Sequence, residues 1–351
     1  MIDPIFLAEA AVNGILLGGV LALLALGLNL IFGVVDIVWI ARRGAVRPHS
    51  RDAAVRPPRA DPDPALVVHR DGVVADGPLR PGLARPGAFL GVGAYATTLL
   101  WNFFGLTPWI GSLAAVAGAV ALALAVGYPC FRFRVVGHYF ALVTLAVGEV
   151  IRLLIIAERD WTGGSLGLTL KPAGSDASVL AVQFADGRVF YYAALALWLD
   201  GLAAWARVDR SMARSALEAI GEDETPAASV RIHVTRFKLG ITVLSAALTA
   251  LGGVACAQYI TYVNPETLAG IGVSLRIVFA VVLGGMYALP GPTVGTALTI
   301  ALSEYLRVAF GLRYIGMAET IYGLLLILFI IFLPAGIYGS LRDALRARVA
   351  T

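Results

Sequence analysis

Trp109–Phe131 reads WIGSLAAVAGAVALALAVGYPCF and carries no charged residue. A helix needs about 20 apolar residues to cross the hydrocarbon core of a bilayer. This run is long enough, and it lacks the alternation of polar and apolar positions that marks a barrel strand. In lipid only helices and closed barrels satisfy their own backbone groups. The segment therefore reads as a transmembrane helix. Ala10–Val35 and Leu239–Gln258 are further runs without a charge and read the same way.

The composition agrees. Hydrophobic residues make up 59% of the 351-residue chain and charged residues 14%, against about 25% charged in soluble domains. Such a chain cannot cover a water-facing surface with polar groups. The predicted fold is all-α: a polytopic membrane protein of about nine transmembrane helices. The spans fall near 8–34, 87–105, 109–131, 138–157, 190–206, 239–259, 272–289, 292–309 and 314–333. The first run is too long for a signal-peptide core and is read as a retained span.

Lys and Arg in the connections set the orientation. Arg132 and Arg134, then Arg207, Arg210, Arg214, Arg231, Arg236 and Lys238, then Arg342, Arg346 and Arg348 all fall on one side when the spans are counted in order. That side is expected to be the cytoplasm, with the N-terminus outside and the C-terminus inside. Loop 158–189 is then outside. Within it, Val179–Phe184 and Val189–Tyr191 flank a turn and predict a small hairpin.

Residues 41–86 break the pattern. They hold nine Arg, five Asp and eight of the 17 Pro, with His49 and His69, and no Lys or Glu. Their excess of four positive charges equals the net charge of the whole chain, +4. The basic pI therefore has a local source and does not point to nucleic acid. The segment reads either as a disordered cytoplasmic insert or as a stretch translated out of frame. The Lys-poor, Arg- and Pro-rich composition fits the second better. The predicted organisation is a transmembrane segment at 1–40, this irregular segment at 41–86, a transmembrane domain at 87–340 and a basic tail at 341–351.

Motifs exclude several chemistries. There is no G-x-x-x-x-G-K-[ST] phosphate loop and no H-E-x-x-H. Cys130 and Cys256 lie in apolar runs without ligand-like spacing to His and read as buried apolar side chains. No catalytic residue, cofactor or metal is expected. Small residues recur four apart at Gly14/Gly18, Gly87/Gly91 and Gly291/Gly295, a spacing that lets helix backbones approach closely. Polar residues inside spans are costly and either line a path or pair with each other. Glu149 and Arg152 sit three apart and can share a helix face, and Glu304 and Arg307 repeat the spacing. Glu149, Arg152 and Glu304 are the candidate path residues; Asp200, Arg276 and Glu319 are further charges near span ends. Gly284, Gly285, Gly291 and Pro292 interrupt two spans and form a candidate hinge; a simple tight connection explains them equally.

A set of stretches carries a family resemblance. Gly87–Tyr95 (GAFLGVGAY), Gly137–Leu145 (GHYFALVTL), Trp161-Thr162-Gly163-Gly164 with Gly167, Leu283–Met286 followed by Gly291-Pro292, Tyr322–Leu326 and Phe332–Gly336 occur in order. From about residue 87 onward the chain resembles the second permease subunit of branched-chain amino-acid ABC importers. Asn13–Gly18 and Leu24–Gly33 look more like the start of the companion permease, so the chain resembles a mosaic joined at 41–86. The resemblance implies a permease in a bacterial cytoplasmic membrane. Its implied partners are a second permease subunit, two ATP-binding cassette subunits and a periplasmic or surface solute-binding protein, with membrane lipid around it.

The resemblance also implies that loop 207–238 docks on an ATP-binding subunit. Glu218, Ala219, Ile220, Glu222, Asp223, Glu224, Ala227 and Ala228 form the matching stretch. Ala227 and Ala228 would make the small docking face and the acids its rim. Three positions depart from the family pattern. Gly221 stands where a basic residue is usual, Pro226 where a small helix former is usual, and Arg231 where glycine is usual. The alternatives at this stage are an importer of urea or short amides in the same family, a stand-alone secondary transporter or channel, and the inactive product of a rearranged gene.

Overall fold

The computed structural model describes residues 86–133, 135, 138–172, 182–183, 187–222, 224–285, 291–310 and, further on, 320–321, 323–325 and 327–328. The predicted span at 8–34 and the segment 41–85 lie outside the described residues, as does most of the span at 314–333. So do Asn29, Glu319 and the motif Phe332–Gly336.

The described chain is helical. In order come α1 (Pro86–Phe104), α2 (Pro108–Arg132), α3 (His138–Ala157) and the single turn α4 (Arg159–Thr162). A 3-10 turn at Gly164–Leu166 leads into β1 (Leu168–Thr169). Then follow α5 (Gly187–Asp209), α6 (Met212–Glu222), α7 (Glu224–Ser229) and α8 (Val234–Ile260). The chain continues through β2 (Tyr262–Val263), α9 (Pro265–Ala269), α10 (Ile271–Gly284) and α11 (Gly291–Phe310). Each predicted span from 87 to 309 falls on one of these helices, that at 272–289 on α10 as far as Gly284. Among the described residues α2 and α8 are each long and apolar enough to cross a membrane.

Local chemistry explains the ends. Pro108 opens α2 at a position where its missing N–H costs nothing. Asn264 caps α9, its side chain accepting from the Glu266 N–H at 2.8 Å, with Pro265 as the first helical residue. Thr261 ends α8 in the left-handed region, φ 57°.

The hairpin expected at 179–191 needs correcting. Val189–Tyr191 belong to α5, because the apolar run that follows them gives a helix more to bury than a two-stranded ribbon would. Most of Val179–Phe184 lies outside the described residues. The strand pair that does form is long-range: β1 and β2 run antiparallel, Leu168 opposite Val263 and Thr169 opposite Tyr262.

Small residues set the centre of the bundle. Ala119 and Ala123 of α2 meet Ala246 and Ala250 of α8. α1 crosses α8 closely enough that a Cβ on Gly93 would stand 2.3 Å from the Ala250 carbonyl oxygen, and one on Gly253 2.2 Å from that of Leu90. Gly87 and Gly91 face the α9–α10 junction, where added Cβ atoms would meet Ser274 Oγ at 2.8 Å and Ala269 Cβ at 3.0 Å. Large apolar side chains point outward instead, Leu113 72% and Leu142 62% exposed. That arrangement suits lipid, where close backbone packing replaces the hydrophobic drive between helices. Both cysteines are free and buried.

Candidate functional site

Two polar assemblies sit at opposite ends of α8. The first gathers around Trp161-Thr162-Gly163-Gly164. Thr162 is buried; its hydroxyl proton is shared between the carbonyls of Ile155 and Glu158, and its oxygen accepts from the Gly164 N–H at 3.2 Å. Gly163 and Gly164 have φ of 71° and 60°, and a Cβ on Gly163 would lie 2.1 Å from the Gly167 carbonyl oxygen. Only glycine takes this path without strain. β1 leaves the turn and is held by Asn102 of α1, whose amide donates to Thr169 O at 2.9 Å and whose Oδ1 accepts from Lys171 N at 3.0 Å. Tyr95 donates to the carbonyl of Val263 in β2 at 3.3 Å. Loop 158–172, expected on the outer side, and loop 261–270 thus share one end of the molecule.

Glu149 and Arg152 join this assembly. Arg152 donates to Glu149 at 2.9 Å, the pairing expected from their spacing, and also pairs with Glu266 of α9. One guanidinium therefore serves two carboxylates and ties α3 to α9. Glu304 lies on α11; its side chain, that of His138, and that of Arg307 are outside what the structure describes.

The other end holds α6 and α7. Leu217, Ile220, Ala227 and Ile241 form a small core with Trp205, Phe237 and Leu244 against it. It joins α6 and α7 to the end of α5 and the start of α8. Glu224 pairs with Lys238, both largely buried, and the Lys238 ammonium lies 5.9 Å from the centre of the Phe131 ring. Arg214 donates to Glu218 at 2.8 Å and pairs with Asp209. The Glu218 hydrogen bond, opposed by partial desolvation, holds the Arg214 guanidinium above its ordinary pKa.

This geometry bears on the stretch expected to dock. Ala227 is 4% exposed and belongs to the chain's own core, as does Ile220. Glu224 is spent on Lys238. Half-buried Ala219 packs against the same core. Ala228 is exposed, as are Val230 and Met212. Glu222 closes α6, and Asp223 lies outside the described residues. Arg231, at the position where glycine is usual, has φ 65°, the left-handed conformation that favours glycine. Pro226 falls in the first turn of α7, where proline is tolerated.

The break between α10 and α11 is a close backbone contact. A Cβ on Gly284 would lie 1.8 Å from Gly291 O, one on Gly291 2.1 Å from Gly285 O, and one on Gly295 1.8 Å from Ala280 O. Gly285 has φ 109° and donates to Val281 O at 3.0 Å. Residues 286–290 lie outside the described residues; within the predicted span 272–289 the described helix runs to Gly284. α10 has 14 residues, about 21 Å at 1.5 Å per residue, short of the ~30 Å hydrocarbon core. Thr293, beside Pro292, accepts from Trp198 Nε1 at 3.3 Å. Trp198 is midway along α5, so the break lies level with the middle of that helix.

Sequence reading missed Gln258. It ends the uncharged run Leu239–Gln258. It is 2% exposed, and neither its amide nitrogen nor its oxygen has a hydrogen-bond partner among the described residues. Leaving such a group unsatisfied costs about 1–3 kcal/mol. Thr299 Oγ1 of α11 is in the same position.

Residues 86–333 match the family described as branched-chain amino acid transport system, permease component. The high-affinity branched-chain amino acid transport system permease protein LivM of Salmonella typhimurium is 28% identical over 282 residues, covering 75% of this chain. LivM of Escherichia coli K12 matches to the same extent. The match spans 64% of the length of each LivM protein, so this chain covers less than two thirds of them. LivH of Salmonella typhimurium is 29% identical over 66% of this chain and 76% of its own length. No solved structure matches.

Proposed function

The chain belongs to the family of permease components of branched-chain amino acid transport systems and is an all-α polytopic membrane protein; on that premise we propose that it forms half of the translocation path of an ABC importer for branched-chain amino acids. Its implied partners are a companion permease, two ATP-binding subunits that hydrolyse the nucleotide, and a solute-binding protein that delivers substrate. The chain itself is a transport subunit of the bacterial inner membrane, with α6–α7 on the cytoplasmic side and the β1–β2 clasp outside.

The observation that carries this reading is the attachment of α6–α7 to α8. A coupling element must pass a rigid displacement into the membrane. Here the core around Leu217 and the Glu224–Lys238 pair fix both short helices to the first turns of α8. α8 then runs 27 residues without a break to Ile260 and continues directly into β2. A push at α7 reaches the outer clasp along one helix. Docking uses the narrower surface Met212, Ala228 and Val230. The glycine contact Gly284–Gly291 is the hinge of the same movement, and Gln258, Arg152 and Glu149 are the path-side polar groups.

Disulfide trapping tests the docking. Val230→Cys is expected to cross-link to a cysteine placed in the groove of the co-expressed ATP-binding subunit, and Leu142→Cys on α3 is not. Co-purification of the ATP-binding subunit with no cross-link from Val230→Cys or Met212→Cys would refute the assignment of α6–α7.

A further inference from the structure

α8 is one connection between the two polar assemblies, and a second starts at Lys238. Lys238 stands in the first two turns of α8. Its ammonium pairs with Glu224 of α7 and lies 5.9 Å from the centre of the Phe131 ring, in the last turn of α2. A ring attracts a cation within about 6 Å of its centre. Phe131 stacks in turn on Phe140, in the first turn of α3, with ring centroids 5.4 Å apart and planes 29° from parallel. Four side chains from four helices thus meet in series.

Their surroundings favour each contact. The Lys238 side chain is 14% exposed and that of Glu224 29%, so the pair is partly shielded from the water that weakens surface ion pairs. A partly desolvated cation is also drawn to a ring face more strongly than a hydrated one. Phe140 is buried, and close-packed interiors transmit a displacement instead of absorbing it.

α3 carries the displacement to the other assembly. Arg152 stands about 18 Å beyond Phe140 along that helix, at 1.5 Å per residue, and there it pairs with Glu149 and with Glu266 of α9. α3 is therefore gripped near both ends, by the Phe140 ring and by the Arg152 guanidinium. We propose that Lys238 is a positioning residue for transport: it passes the displacement of α7 through the Phe131 and Phe140 rings to α3, and so to the Glu149–Arg152 pair. This rests on the coupling role proposed above for α6–α7, and it gives that movement a second arm beside α8.

The test grades the ring at position 131 at nearly constant size. Mono-, di- and trifluorophenylalanine in place of Phe131 weaken the negative face of the ring in steps. The assay uses proteoliposomes holding the chain, its companion permease and the ATP-binding subunits, with loaded solute-binding protein. Leucine taken up per ATP hydrolysed should fall in step with fluorination, several-fold for the trifluoro ring, while hydrolysis is retained. A constant ratio across the series overturns the proposal. The detergent-solubilised chain alone supplies a second reading. Thermal midpoints of Lys238→Met, Phe131→Leu and the double variant should be non-additive, the double losing less than the two singles together; additive shifts overturn the contact and the proposal with it. Absence of ATP-driven leucine uptake by the wild-type transporter is a failure of the proposed function instead, and the midpoints of the chain alone still decide the contact.

Discussion

Gly253→Ala and Gly240→Ala place the same methyl group on the same helix and should move stability in opposite directions. At Gly253 the new Cβ stands 2.2 Å from the Leu90 carbonyl oxygen and 3.1 Å from the Ala94 nitrogen. Ordinary contact begins at 3.4 Å. The obstacle is backbone and cannot rotate away, so α1 and α8 must part by about 1 Å and lose contact along their shared surface. Overpacking of this kind costs about 1–3 kcal/mol. The better helix propensity of alanine returns roughly 1 kcal/mol, which leaves a net loss of up to about 2 kcal/mol. At Gly240 none of the described residues lies within 4 Å of the added Cβ, so only the propensity gain operates, up to about 1 kcal/mol. The thermal midpoint of the detergent-solubilised chain, followed by tryptophan fluorescence, should fall for Gly253→Ala and hold or rise for Gly240→Ala. Equal shifts, or a rise for Gly253→Ala, would refute the close crossing of α1 on α8.

Arg231→Gly removes a left-handed non-glycine residue and should stabilise the α7–α8 corner by about 1 kcal/mol; a lowered midpoint speaks against the observed backbone there. Glu224→Gln leaves the largely buried Lys238 without its counter-charge and should cost about 1–3 kcal/mol. In the assembled transporter it should uncouple the two activities, with ATP hydrolysis retained and uptake reduced; parallel loss of both in a well-folded complex counts against the coupling role. Gln258→Met removes two unsatisfied polar atoms at similar volume, so stability should hold or rise while transport falls. Unchanged transport by that variant would assign Gln258 no part in the path.

The parts of the fold visible in the sequence were those written by local periodicity. Uncharged runs such as Leu239–Gln258 marked the helices, and Glu149–Arg152 announced its pairing through helical spacing. Gly87/Gly91 and Gly291/Gly295 signalled close contacts that the structure shows. The β1–β2 pair was invisible because it joins residues almost a hundred positions apart in runs of two. The third member of the charged group, Glu266, was hidden for the same reason. Val189–Tyr191 misled because β-prone residues at a helix start look like a strand until the apolar run beyond them is weighed. In loop 207–238 the resemblance picks out a stretch but cannot say which of its faces turn inward. Ala227 and Ala228 are adjacent, and only tertiary packing separates the buried one from the exposed one. Gln258 escaped because its significance lies in partners it lacks, and no pattern of spacing records that.

The account turns on whether this chain moves substrate only when partner subunits hydrolyse ATP. Proteoliposomes containing the chain, its companion permease and the ATP-binding subunits, supplied with loaded solute-binding protein, should accumulate radiolabelled leucine when ATP is present on the α6–α7 side and not otherwise. Leucine uptake by the chain alone without nucleotide, or ATP-driven uptake of urea with none of leucine, would contradict it.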